Sequence, residues 1–275
     1  MGGNWSIAAP GRRAVSPTIM DASSTSGERW GLPEAFAGLV VSILLAGLVG
    51  GAVIGARGDY TGKWSEHGAT AGRIAAQAAG DGALTGPQLT PLWLITLLQV
   101  PLWVGMLGAV VYAARKGRGI VADFGLRMEK RDVGVGLAVG FLAQVVLIPL
   151  VYWPWLRLLG NPDVSAAARS LTDRAEGAGI VLLVLLTVIG APIVEELFFR
   201  GLLLRSLQRR LRPPLAIGAA AVLFSLAHFQ VLQFPALVIF GAVAGVLAHR
   251  AQRLGPAIWA HVAFNATTVI VLLVS

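Results

Sequence analysis

Cysteine is absent from the 275-residue chain. That excludes a disulfide framework, a thiolate metal centre and a cysteine nucleophile. Charge is also scarce. Asp, Glu, Lys and Arg make up 13% of the residues, about half the ~25% usual in a soluble domain. Histidine occurs only four times, so any imidazole inside an apolar run stands out. No Ser-His-Asp constellation is apparent and HExxH is absent, so neither of those hydrolase signatures is available.

What the chain has in place of charge is apolar length. Hydrophobic residues make up 56% of it, with a mean hydropathy of +0.72. They come in blocks that can cross a bilayer, which takes roughly 20 residues as a helix. The pattern predicts an all-α, polytopic transmembrane bundle of about seven spans, within a range of six to eight. The expected spans are 35–56, 90–114, 133–156, 178–199 (continuing as helix to about 211), 214–231, 233–249 and 255–274. The first run is too long for a signal-peptide core. Pro213-Pro214 and Gly255-Pro256 mark helix boundaries, because proline lacks the amide donor and restricts the residue before it.

Three regions follow from this layout. Residues 1–34, rich in Gly, Ser and Pro, read as a disordered cytoplasmic tail. Residues 35–177 hold the first three spans and their loops, with 157–177 lying along the membrane surface. Residues 178–275 form a C-terminal transmembrane domain. The net charge of +8 does not signal a nucleic-acid partner, because the basic residues cluster between apolar runs, where they set topology. Sixteen Lys and Arg fall in 1–34, 115–132, 200–213 and 250–254, against six in 57–89 and 157–177. The positive-inside rule therefore puts the N-terminus and the basic loops in the cytoplasm.

Polar residues inside the spans are few. APIVEELFFRG places Glu195, Glu196 and Arg200 within one and a half helical turns. Charges at that depth cost several kcal/mol even on lenient insertion scales. Glu196 and Arg200 stand four apart with the acid first, the favourable order for a side-chain ion pair. Glu195 points about 100° away around the helix and is the freer carboxylate. Pro192 removes one backbone donor just before it and can open the turn to water. In FSLAHF, His228 follows Phe224 by four residues within an apolar helix, and in HVAFN, His261 and Asn265 share one face of the last helix. Counting about 1.5 Å per residue, Glu195 and His228 lie about 24 and 21 Å in from the basic end, with His261 and Asn265 shallower at about 9 and 15 Å.

Other polar and small residues have structural readings. His249 ends a span beside Arg250 and is interfacial, and His67 lies in a polar loop with Glu66. Trp153, Trp155 and Trp259 suit interfacial belts or packing. Gly47 with Gly51, and Gly241 with Gly245, have the spacing that lets helices approach closely.

The ordered set Glu195-Glu196-x-x-x-Arg200, Phe224…His228 and His261…Asn265 on successive spans resembles the CPBP family. That family contains the CAAX prenyl protease type 2 enzymes and the bacteriocin-processing and self-immunity (Abi) proteins. The resemblance covers about 178–274 and implies an intramembrane endopeptidase, with Glu195, Glu196, Arg200, His228, His261 and Asn265 as its site. Glu195 is the best general base for an activated water. Two forms stay open. Either Glu195, His228 and His261 bind a divalent metal such as zinc, or no cofactor is present and the His and Asn side chains donate to the oxyanion. The expected partners are membrane lipids and a hydrophobic or lipid-anchored peptide in a bacterial plasma membrane, with no nucleic acid. A non-catalytic scaffold or immunity-type protein using the same cavity is the alternative. A transporter is disfavoured, because the first three spans offer little beyond Gln99 and Gln144.

Overall fold

The computed structural model describes residues 29–56, 92–158, 160, 165, 168–169, 172–173 and 175–274. The tail up to residue 28, residues 57–91 with His67, and residues 159, 161–164, 166–167, 170–171 and 174 lie outside the described residues. Among those described there is no strand. The helices in chain order are α1 (Leu32–Ala56), α2 (Leu92–Arg115), a short α3 (Ile120–Phe124), α4 (Lys130–Leu158), α5 (Ala178–Gln208), α6 (Pro213–Leu226), α7 (Phe234–Ala251) and α8 (Gly255–Val274). Each of the seven expected runs falls on one of the seven long helices. The eighth, α3, lies within a basic connection. Five helices, α1, α4, α5, α7 and α8, are long and apolar enough to cross a membrane among the residues described. The chain is an integral membrane protein.

Polar contacts tie the helix ends together at one end of the bundle. Lys116, just past α2, pairs with Glu34 at the start of α1 at 2.6 Å, and this contact raises the Lys116 pKa. At the start of α4, Asp132 accepts from the Glu129 amide in a capping box. The same carboxylate receives both arms of Arg253, which lies between α7 and α8, at 2.7 and 2.9 Å. Arg205 at the end of α5 donates to the carbonyls of Asp123 and Gln252. Arg209 donates to the Trp30 carbonyl and stacks on its ring. The starts of α1, α4 and α8 therefore share an end with the finishes of α2, α5 and α7.

Small residues set how closely the helices approach. A Cβ on Gly140 of α4 would fall 2.0 Å from the Ala260 carbonyl oxygen of α8, and one on Gly136 would fall 2.4 Å from Trp259 Cβ. Gly241 of α7 meets Ala221 of α6 in the same way, as its spacing predicts. Gly47 and Gly51 depart from that expectation: among the described residues nothing stands within 4 Å of where a Cβ on either would lie.

Candidate active site

α5 is not one regular helix. Val184–Gly190 and Glu196–Leu204 wind with π turns around the α-helical stretch Ala191–Glu195. Such turns are rare and often occur at functional positions. The Ala191 amide donates to the Leu186 carbonyl, five residues back. In that register the next donor would be Pro192, which has none, and the carbonyl left over belongs to Thr187. Asn265 of α8 fills the gap, its Nδ2 donating to the Thr187 oxygen at 2.7 Å. The carbonyl that the proline was expected to open to water is thus taken by a side chain from α8.

Glu196 is fully buried. Its Oε1 accepts from Arg200 Nη1 at 2.8 Å, the i, i+4 pair expected from the spacing, and also from His261 Nδ1 at 2.8 Å. Arg200, only 2% exposed, donates in addition to the Gly241 carbonyl at 3.2 Å and lies 4.3 Å from the centre of the Phe224 ring. It is an interior charge, and its share in the topology count was misplaced. The Glu196–His261 contact has no local signal, because it joins residues 65 apart in the chain. The aromatic wall went unnoticed as well: the Phe240 ring centre is 4.9 Å from His261 and that of Phe224 is 4.6 Å from His228.

His228 does not sit within a helix. α6 ends at Leu226, and residues 227–229 form a turn. The imidazole ends the helix itself, because its Nδ1 bonds the Phe224 carbonyl at 2.7 Å while its own amide donates to Ser225, three residues back. His261 was expected to lie shallower than Glu195, yet the two meet. The reason is that α8 starts inside the protein. Gly255 to Ile258 are all buried, and the Leu254 and Gly255 amides donate to the Gly125 and Arg127 carbonyls of the segment folded beneath them.

Glu195 Oε2 consequently lies 3.8 Å from His228 Nε2 and 3.9 Å from His261 Nε2. Both distances exceed direct hydrogen-bond reach. The tautomers follow from the partners. A carbonyl at His228 Nδ1 and a carboxylate at His261 Nδ1 each require the proton on that nitrogen, which turns both Nε2 atoms towards Glu195. One carboxylate and two imidazoles are a donor set that zinc accepts. Among the described residues, however, no three His, Asp or Glu side chains are arranged to hold a metal ion.

Glu195, His228 and His261 therefore meet where α5, the end of α6 and α8 come together, with Glu196 and Arg200 behind His261, while Asn265 bonds the Thr187 carbonyl of α5. No curated protein and no solved structure matches the chain. Residues 177–267, from the entry into α5 to within α8, match the family described as "Type II CAAX prenyl endopeptidase Rce1-like", in agreement with the family that the three motifs resemble.

Proposed function

We propose that the protein is an intramembrane endopeptidase that hydrolyses a membrane-associated peptide with a water activated by Glu195. The observation that supports this most directly is the position of Glu195 Oε2, flanked by two imidazole Nε2 atoms at 3.8 and 3.9 Å. A water there can donate one hydrogen to the carboxylate and the other to His228 Nε2, leaving an oxygen lone pair for the scissile carbonyl. Glu195 takes the proton as the new C–O bond forms and the carbonyl electrons move onto oxygen. His261, when its Nε2 also carries a proton, donates from that atom to the oxyanion. The Asn265 amide, which carries a second N–H beyond the one given to Thr187, is the further donor. Collapse of the intermediate breaks the C–N bond, and Glu195 returns its proton to the leaving amine. Glu196 has no place in the proton path. It fixes the His261 tautomer and orientation through Nδ1, as a carboxylate does for the histidine of a hydrolytic triad.

The substrate class we propose is a hydrophobic or lipid-anchored peptide, which attachment to the bilayer would concentrate in the plane of the site. The Ala-, Gly- and Arg-rich composition suits a bacterial plasma membrane, and the clustering of basic residues at one end supports a cytoplasmic opening. The prenylated CAAX class in the family's name is a narrower case of the same chemistry.

The test is the full chain in phospholipid vesicles with a quenched fluorescent peptide library, part of it lipidated. Glu195→Gln should cut about 10²- to 10⁴-fold more slowly, the usual range for a lost general base. Cleavage at the wild-type rate would overturn the assignment. A chelator should leave the wild-type rate unchanged, and loss of activity that returns with zinc would overturn the metal-free form.

A further inference from the structure

The segment that carries His228 is irregular backbone where regular backbone would be expected. α6 has 14 residues and so rises only about 21 Å from the basic end, against roughly 30 Å of hydrocarbon. The connection 227–233 therefore lies at membrane depth, where free carbonyls and amides cost several kcal/mol each and irregular backbone survives only if protein groups satisfy it. Its conformation is also unfavourable on its own. Phe229, directly after His228, has φ 53°, a left-handed geometry that is an outlier for a bulky residue. Its side chain is 63% exposed and that of Val231 is 78% exposed, so neither anchors the loop in the core.

Two hydroxyls hold the loop. Ser225 Oγ donates to the Phe234 carbonyl at 2.8 Å. Tyr152, from α4 and 4% exposed, does more: its hydroxyl donates to the Leu232 carbonyl at 2.6 Å and accepts from the Ala236 amide at 3.2 Å. One phenol oxygen thus joins the loop's last turn to the first turn of α7, from a helix outside the matched 177–267 stretch. We infer that Tyr152 is a positioning residue for the hydrolytic reaction, clasping the 227–233 loop so that His228 Nε2 keeps its place beside Glu195. This rests on the proposed role of His228. It gives the N-terminal helices a part in the chemistry without direct contact with substrate.

Tyr152→Phe removes only the hydroxyl and keeps the buried ring, so the fold should survive it. Two measurements are made on the full chain in vesicles. Hydrogen–deuterium exchange of the peptide covering 228–236 should rise about tenfold in the variant, with α5 and α8 unchanged. On the fastest-cut peptide of the quenched library, kcat should fall about tenfold or more with KM within twofold, because a small displacement of a catalytic group is costly while distant binding contacts persist. Unchanged exchange would overturn the clasp whether or not activity is detectable. Raised exchange with unchanged kcat would overturn the positioning role. A wild-type protein that cuts none of the peptides would count against the protease reading alone, since exchange still decides the clasp.

Discussion

Glu196–Leu204 of α5 and the middle of α1 are both apolar helical segments, and they sit in opposite surroundings. All nine residues of the first are buried, among them a glutamate and an arginine. In the second, Val40, Leu44 and Leu48 are 55, 58 and 70% exposed, turned outward to meet lipid. Leucine in α1 dissolves the helix in the bilayer. In α5 it belongs to a shell, with Phe198, Phe199 and Phe224, that keeps water and lipid away from Glu196 and Arg200. Hydropathy alone does not separate the two cases. The charges in the sequence do, because a buried ion pair at depth needs protein on every side.

The sharpest way to break this contrast is to unpair the buried charges. Arg200→Ala leaves Glu196 without its 2.8 Å partner and the Gly241 carbonyl without its donor. Removing one member of a buried pair costs about 3–5 kcal/mol. The measurement is the unfolding midpoint in detergent, which should drop by far more than for any single substitution on the outer face of α1. Arg200→Lys should recover only part of the loss, because an ammonium cannot reproduce the guanidinium's fixed fork or its stacking on Phe224. Loss of activity with an unchanged midpoint would mean that Arg200 serves chemistry and not stability.

Sequence reading reached the charged turn, the seven runs and the convergence of three motifs. Each of those signals is local: a periodic apolar run, an i, i+4 pair, a residue type out of keeping with its neighbours. It did not reach the π turns in α5, because no residue pattern announces them. In the first of them the Thr187 carbonyl is taken by Asn265, 78 residues away. The end of α6 was misread for a related reason. His228 looked like one more helical position, whereas its own ring ends the helix. Tyr152 could not have been singled out, since its two partners lie 80 and 84 residues downstream.

A smaller effect is expected where α4 meets α8 behind the site. The methyl group of Gly140→Ala would be built into the Ala260 backbone carbonyl, which cannot move aside as a flexible side chain would. Forcing the helices apart should cost about 1–3 kcal/mol, the usual range for overpacking. Because Ala260 adjoins His261, activity should fall along with the melting midpoint. A midpoint shift without a change in rate would show that the site tolerates movement of α8.

The smallest effect belongs to the lipid-facing side of the comparison. Among the described residues, Gly47 in α1 has nothing within 4 Å of where a Cβ would stand, so Gly47→Ala adds a methyl group without displacing any of them. It also replaces the poorest non-proline helix former with the best, a gain of up to about 1 kcal/mol in a helix interior. The expected result is a melting midpoint equal to or slightly above wild type, with activity unchanged. A clear drop would require something to pack against this face in the membrane, and close approach of helices at small residues is what Gly47 and Gly51 would then provide. Repeating the measurement across a range of protein-to-lipid ratios distinguishes the two cases. A penalty that appears only at high ratios identifies a second copy of the chain as the missing neighbour, whereas a penalty at every ratio places the contact within one chain and removes α1 from the lipid-facing side of the contrast.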